Sequence, residues 1–209
     1  MNKLFIIGLP RTGTTSISVA LLEHNFKVAH TAYTKRAFEL ADVISDAPCF
    51  CDYQQLDKIF PNSKFVYLDR EFESWLPSIQ MLLGKMMVNL DLKAGHFNPV
   101  LKRSFHHTFS LSNTAKPLSS QHLEARYLRH QQEVFNYFST RDDFLNINIS
   151  TRNSLSTLLD FLGIPSKKEQ TFPHLNVGKI VDNWKEFKHP NKVNPNSAGK
   201  EHRKFFDYT

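Results

Sequence analysis

An α/β fold with a central, mostly parallel sheet of about five strands is predicted by two patterns in this 209-residue chain. Five short apolar segments have the composition of buried strands, and helical patterns separate most of them. A glycine-containing turn also joins the first strand directly to a helix. Strands that alternate with helices are typical of a sheet covered on both faces, which gives three layers. Ligands of such sheets bind beyond the carboxyl ends of the strands.

The predicted strands are rich in apolar, β-branched or aromatic residues and cover residues 3–8, 26–30, 42–46, 64–69 and 144–149. Helical periodicity begins at Thr14 and recurs over residues 34–40, 53–60, 121–137 and 155–162. Between 93 and 120 the pattern breaks up into Gly, Pro, Asn, Ser and His, which predicts a long connection or lid. We expect a mobile tail over 189–209. Neither an internal repeat nor a linker is visible, so a single domain over 1–209 is predicted.

Composition and charge limit the possible functions. The chain is 41% hydrophobic but has no apolar run long enough to span a bilayer. Gly8 and the following Leu-Pro-Arg interrupt the apolar start, so we expect no export signal and a cytoplasmic protein. The net charge of +6 and the pI near 9.3 favour acidic ligands. The basic residues are dispersed, which argues against nucleic acid and fits a small polyanion. Nothing in the sequence fixes an oligomeric state.

Cysteine and histidine spacing does not indicate a metal site. The two cysteines, Cys49 and Cys51, lack the second pair that a zinc site needs. The histidines show no ligand spacing either. We therefore expect buried thiols in a reducing compartment and no bound metal.

Residues 4–16 combine a buried strand, a loop bounded by glycines and the start of a helix. Gly8 and Gly13 allow backbone N–H groups to approach an anion closely. The positive end of the following helix points at the same place. We therefore expect an oxyanion among the amides of residues 11–15.

Two features of this loop set it apart from the loop of nucleotide triphosphatases. Thr14 stands where those enzymes carry lysine, and its hydroxyl and that of Thr15 would be extra donors. The only cation in the loop is Arg11, whose planar guanidinium suits a phosphate or sulfate oxygen. The alternative is an ordinary Gly-Pro turn with an exposed arginine. Such a turn would not require a strand, a loop, two threonines and a helix to follow each other in this order, so the phosphate site is favoured.

A second candidate anion site follows the strand at 64–69. Arg70 ends this strand and Ser78 comes eight residues later in an amphipathic segment. If both face the upper edge of the sheet, they could share one phosphate. Pro77 fits best in a first helical turn, which leaves the start of this helix open. Taken singly, Arg70 could pair with an adjacent carboxylate and Ser78 could be an ordinary surface serine.

These two motifs resemble those of sulfotransferases that depend on 3′-phosphoadenosine 5′-phosphosulfate (PAPS). In that family a Pro-(Lys/Arg)-(Ser/Thr)-Gly-Thr-Thr loop binds the 5′-phosphosulfate, and a strand-end Arg with Ser eight residues later binds the 3′-phosphate. The matching residues are Pro10, Arg11, Thr12, Gly13, Thr14, Thr15, Arg70 and Ser78. Weaker resemblance, to a compact and mainly bacterial branch, covers 127–130, 144–149, 158–165 and 172–176. The common C-terminal Arg-Lys-Gly-x-x-Gly signature is not visible, and Gly178-Lys179 is a poor substitute for it.

The resemblance implies transfer of a sulfuryl group from PAPS to a hydroxyl or amine, which leaves adenosine 3′,5′-bisphosphate (PAP). The acceptor would be a small molecule or a carbohydrate. Arg11 and the loop amides would stabilise charge on the bridging phosphate oxygen. No metal is required.

A base must take the proton of the acceptor, and two residues are candidates. Asp46 lies in Ile-Ser-Asp-Ala-Pro, which resembles the Thr-His-Leu-Pro stretch where cytosolic sulfotransferases hold a catalytic histidine. His30 ends the second strand, and imidazole is the side chain best suited to exchange protons near neutral pH. Asp46 is the favoured candidate. A helix-capping aspartate and a structural histidine are the simpler alternatives.

Two other functions compete with this interpretation. A P-loop nucleotide kinase or triphosphatase is suggested by the apolar strand that ends in Asp69, a possible magnesium ligand. Thr14 in place of lysine argues against it. A non-catalytic nucleotide- or nucleic-acid-binding module is the third interpretation.

Overall fold

A five-stranded sheet forms the centre of the computed structural model, which describes residues 2–165, 171–173 and 183–198. The strands are β1 (Leu4–Ile6), β2 (Val28–His30), β3 (Val43–Ser45), β4 (Lys64–Leu68) and β5 (Phe144–Ile147). They are all parallel and lie in the order β2-β3-β1-β4-β5. The predicted α/β class and the parallel sheet of about five strands are confirmed.

Helices connect the strands and cover the sheet. Within the described residues they are α1 (Thr14–Glu23), α2 (Lys35–Leu40), α3 (Cys49–Ile59), α4 (Phe72–Leu90), α5 (Pro99–Phe109), α6 (Ser120–Tyr137), α7 (Ser154–Phe161) and α8 (Asn183–Glu186). None of them is both long and apolar enough to cross a membrane.

Alternating side chains of β1 show how the three layers arise. Leu4 and Ile6 are buried on one face, in a cluster with α1 and α7. Phe5 and Ile7 are buried on the other face, with α2, α3 and the C-terminal part of α6. A strand that is apolar on both faces needs a helical layer on each side, and the sequence supplies both.

A third apolar cluster lies beyond the carboxyl ends of the strands and is built by α4, α5 and the start of α6. The fully buried Trp75 of α4 donates from Nε1 to the carbonyl oxygen of Pro10 at 2.9 Å. Tyr127 of α6 donates its hydroxyl to the carbonyl oxygen of Arg70 at 2.7 Å. These two bonds attach the helical cluster to the loop after β1 and to the end of β4.

Helix α5 lies inside the segment 93–120, which the sequence predicts to be a long connection or lid. The sequence pattern does not predict this 11-residue helix. The side chain of Asn98 caps the helix by accepting a hydrogen bond from the amide two residues later at 2.9 Å, and Pro99 occupies its first turn. Phe105 and Phe109 then bury one face. A role of this segment as a lid stays a prediction.

Helix α4 begins at Phe72, so Pro77 lies in its second turn rather than its first. Proline has no N–H, so the carbonyl group four residues earlier, at Glu73, lacks its helical donor. The helix tolerates this loss because Trp75 and Ile79 are fully buried beside the proline. Pro77 itself is exposed.

The described part of the C-terminal segment pairs with the edge strand β2. Val28 donates its amide to Asn191 (3.0 Å) and accepts from the amide of Val193 (2.9 Å). Tyr33 donates its amide to the carbonyl oxygen of Pro195 at 2.9 Å. Residues 174–182 and 199–209, with Gly178-Lys179 among them, lie outside the described residues, so a mobile tail stays a prediction.

Gly8 lies where the loop after β1 passes β4. A Cβ atom at this position would lie 2.6 Å from Leu68 Cβ and 2.9 Å from the Leu68 backbone nitrogen. The missing side chain is therefore what allows the loop to run against the strand.

We expect Gly8→Ala to lower the free energy of unfolding by about 1–3 kcal/mol, because backbone atoms must move to admit the methyl group. Gly84→Ala is the matched control, since Gly84 lies inside α4 and a Cβ atom there would meet nothing within 4 Å. That substitution is expected to add up to about 1 kcal/mol through helix propensity. Chemical denaturation of both variants is the measurement. Equal stability of the two variants would contradict the proposed close approach.

Candidate active site

A cleft of about 1440 Å³ lies at the carboxyl edge of the sheet. It opens where β1 separates β3 from β4, which is the place where the strand order reverses and where ligands of parallel sheets bind. The structure brings all the sequence-predicted site residues to its wall: Pro10, Arg11, Thr12, Gly13, Thr14, Thr15, His30, Asp46, Arg70 and Ser78.

The loop after β1 has an unusual backbone conformation. Gly13, the N-cap residue of α1, has φ 109°, and Arg11 has φ 73°. Left-handed values are easy for glycine and costly for arginine. Thr12 stabilises this turn by donating its hydroxyl to the carbonyl oxygen of Leu9 at 2.6 Å. The N-terminus of α1, with no side-chain cap on Gly13 and no acidic residue in its first turn, faces the centre of the loop.

Two arginines converge at the mouth of this loop. Arg70 donates from Nη1 to the carbonyl oxygen of Arg11 at 2.6 Å and from Nε to the hydroxyl of Ser74 at 3.1 Å. Arg11 donates from Nε to the hydroxyl of Ser78 at 2.8 Å. Arg70 and Ser78 are thus linked through Arg11, well within the length of a nucleotide.

The electrostatics of this pair favour an anion. Burial lowers the pKa of Arg11, and the positive charge of Arg70 lowers it further, while the carboxylate of Asp46 opposes both effects. Burial also lowers the pKa of Arg70. Two half-buried cations side by side are stabilised by a bound anion that neutralises them. The residues present therefore fit a ligand with more than one phosphate or sulfate group.

A second polar cluster lies on the other side of the loop, at the ends of β2 and β3. The hydroxyl of Thr14 donates to Asp46 Oδ2 at 3.4 Å, and the same oxygen lies 3.8 Å from His30 Nε2. His30 Nε2 is also 3.3 Å from the hydroxyl of Thr15. Asp46 Oδ1 accepts the amide of Ala47 at 2.8 Å, which fixes the carboxylate. The two candidate bases therefore share one small volume beside the threonines.

A chain of buried hydroxyl groups determines which nitrogen of His30 carries the proton. The hydroxyl of Ser18 lies 2.7 Å from the carbonyl oxygen of Thr14, so its hydrogen must occupy that contact. The hydroxyl of Ser45, 2.8 Å from that of Ser18, must then donate to it. His30 Nδ1, 2.8 Å from the Ser45 hydroxyl, must in turn donate.

Both serines are 0% exposed, so water does not replace any of these contacts. A neutral His30 therefore carries its hydrogen on Nδ1 and an acceptor lone pair on Nε2. That lone pair is directed at the threonines and at Asp46.

The sequence does not predict Trp184 and Tyr33, which line the cleft, or Ser45, which is buried behind its wall. The ring of Trp184 lies 5.2 Å from that of His30, but the two are more than 150 residues apart in the chain. Tyr33 is buried, and burial, helped by Asp46, raises its pKa to about 12, so it is a neutral phenol. Ser45 had a detectable signal, since a hydroxyl closes the apolar strand directly before Asp46. In the ranges described, no three His, Cys, Asp or Glu side chains are arranged to hold a metal ion.

Comparison with known protein families gives a match over most of the chain. A family model described as "Sulfotransferase domain" matches residues 23–181. His30, Asp46, Arg70 and Ser78 lie within that match, and the loop at 10–15 precedes it. The comparison with curated proteins returned no match.

We expect NMR at about pH 9, where ordinary imidazole is neutral, to show His30 as the Nδ1–H tautomer. Ser18→Ala removes the acceptor of the Ser45 hydroxyl, so that hydroxyl can donate to His30 Nδ1 and the Nε2–H tautomer should gain population. Ser45→Ala leaves a buried N–H unpaired and should cost about 1–3 kcal/mol of stability. Ser139→Ala, at an exposed serine, is the control. A wild-type protein with mainly Nε2–H would contradict the assigned hydrogen-bond chain.

Proposed function

The chain belongs to the sulfotransferase family, and on this basis we propose that it transfers a sulfuryl group from PAPS to a hydroxyl or amine and releases PAP. One observation carries the proposal. Arg11, Arg70 and Ser78 meet at the mouth of the loop after β1, and the His30–Asp46 cluster lies on the other side of the same loop. One adenosine with a 5′- and a 3′-phosphate group can therefore be bound at both phosphates, with its 5′ end beside the His30–Asp46 cluster.

The donor is bound by two groups of residues. The loop from Pro10 to Thr15 holds the 5′-phosphosulfate with its amides, the guanidinium of Arg11 and the hydroxyls of the threonines. Arg70 and Ser78 hold the 3′-phosphate. The contacts of Arg11 with both of these residues support one continuous anion site.

PAPS supplies the sulfuryl group: a bond forms between the acceptor oxygen and sulfur, and the bond from sulfur to the bridging phosphate oxygen breaks with its electron pair on that oxygen. Arg11 and the N-terminal amides of α1 stabilise the growing negative charge there. The guanidinium and the amides are in place before the reaction, so the site does not have to reorganise when the negative charge develops.

The proton of the acceptor goes to the His30–Asp46 pair. It enters at Nε2 of His30, whose lone pair is the acceptor in the neutral tautomer. Asp46 Oδ2, at 3.8 Å, then stabilises the imidazolium. In this arrangement both candidate bases contribute, since the carboxylate favours the protonated state of its neighbour.

The kinase alternative is not favoured, because Asp69 is engaged elsewhere. Its Oδ1 accepts the amide of Arg70 at 2.9 Å and lies 3.4 Å from the hydroxyl of Tyr127 and 3.5 Å from Gln131 Nε2. These contacts give the carboxylate a structural role at the end of β4.

Arg70→Ala should weaken PAP binding by about 10–100-fold, because a charge-assisted hydrogen bond to the 3′-phosphate is lost. Affinity for adenosine 5′-monophosphate should fall less, because Trp75 still holds the loop at the carbonyl oxygen of Pro10. Isothermal titration calorimetry without metal measures both. The control is Arg129→Ala, which removes an exposed arginine paired with Glu133 on α6. Equal losses for the two nucleotides, or stabilisation of the protein by Mg-ATP rather than PAP, would contradict the assignment.

His30→Ala and Asp46→Asn should each lower the rate of sulfuryl transfer by about 10²–10⁴-fold. PAP affinity should stay close to that of the wild type, because neither side chain holds the nucleotide. Release of PAP from PAPS in the presence of an acceptor is the readout. If both variants turn over at the wild-type rate, neither residue is the base. If the wild-type protein binds PAP but does not turn over PAPS, it is a binding module instead.

A further inference from the structure

The cleft has two halves of different chemistry. Its volume of about 1440 Å³ exceeds the roughly 300–1000 Å³ that holds one small ligand, so a second molecule fits beside a nucleotide. One half is the anion site at the loop. The other half lies between α4 and α5 and is lined by apolar side chains: Met81, Leu82, Met86, Phe97, Leu101 and Phe105.

One face of α4 changes from polar to apolar along its length. Ser74, Ser78, Leu82 and Met86 follow each other at intervals of four residues and all line the cleft. The two serines lie beside Arg70 and Arg11, and the two apolar residues lie further along the helix. From Ser78 to Met86 the helix rises about 12 Å, which is enough for a molecule of two or more fused rings.

The facing wall of the groove is apolar as well. Leu101 and Phe105 project from successive turns of α5, and Phe97 precedes that helix. Phe105 is held edge-on against Phe50, with ring centroids 5.6 Å apart. Among the residues that the structure describes, neither wall of this half carries a charge. The charged residues of the cleft belong to the loop, the ends of β2, β3 and β4, and the C-terminal segment.

The apolar half begins next to the proposed base. Ala47 directly follows Asp46 and packs in the same buried cluster as Leu82 and Phe105. Tyr33, whose pKa is raised in part by the charge of Asp46, belongs to that cluster too. An acceptor molecule whose hydroxyl group lies at His30 can thus place its carbon skeleton in the groove.

From this arrangement we infer that the acceptor is an uncharged, apolar alcohol or phenol rather than a carbohydrate. This inference rests on the proposed function. An apolar body gains by leaving water for this groove, whereas the many hydroxyls of a sugar would lose their hydrogen bonds there. The hydroxyl of the acceptor gives its proton to His30 Nε2, and its oxygen forms the bond to sulfur as the bond from sulfur to PAP breaks. The flexible methionines allow some variety in acceptor shape.

The test compares 2-naphthol with cellobiose as acceptors for PAPS and the full chain. We expect sulfation of 2-naphthol and none of cellobiose. Met86→Gln, nearly equal in size but polar, should raise the KM for 2-naphthol about tenfold and leave PAP affinity unchanged. Val88→Gln is the matched control, because Val88 lies on the same helix, is 81% exposed and does not line the cleft.

The outcomes separate the acceptor class from the proposed function. Sulfation of cellobiose alone would overturn the apolar acceptor and leave the enzyme assignment intact. The apolar acceptor is also overturned if PAP binds but the PAP-loaded protein does not bind 2-naphthol in calorimetry. Equal KM changes in the Met86 and Val88 variants would show that the acceptor does not bind in the groove. If neither PAP nor PAPS binds, the proposed function itself fails.

Discussion

The loop at residues 10–15, the proposed anion site, depends on two hydrogen bonds that its own carbonyl groups accept from distant parts of the chain. Trp75 Nε1 donates to Pro10, and Arg70 Nη1 donates to Arg11. A carbonyl oxygen is the negative end of a peptide dipole and would repel a bound phosphate. Since both oxygens are turned toward donors on α4 and just after β4, the positive ends of the neighbouring peptides and of α1 remain for the proposed ligand. The helical cluster at the carboxyl edge therefore shapes the loop as well as enclosing the cleft.

Short-range patterns in the sequence are sufficient for the sheet and the loop. All five strands lie within the predicted segments, because apolar runs bounded by turn residues are local signals. Helix α5 gives a weaker signal: Asn98 and Pro99 mark its start and Leu101, Phe105 and Phe109 recur every four residues, but histidine, serine and charged residues stand between them. Its stability comes from burial of Phe105 and Phe109 in a cluster that only the tertiary fold assembles. Tertiary packing outweighs local composition there.

The fine structure of the cleft is beyond sequence analysis for a different reason. Arg11, Thr31 and Asp46 all have left-handed backbone conformations, with φ of 73°, 79° and 59°, and all three line the cleft. None is glycine, and only Asp46 belongs to a residue type that is enriched in this conformation, so the sequence does not predict these turns. Each costs about 1–3 kcal/mol, which the surrounding core must offset. Likewise, the hydroxyl chain from Ser18 through Ser45 to His30 joins one helix and two strands, and no single segment reveals it.

The pairing of residues 191–193 with Val28 also has a consequence for encounters between copies of the chain. An outermost strand with open N–H and C=O groups is a template on which another molecule can add a strand. Here the chain supplies its own partner at β2, and the same run of backbone brings Lys192, Asn194 and Asn196 to the rim of the cleft. Protection against intermolecular strand addition and completion of the binding surface are thus provided by one short piece of polypeptide.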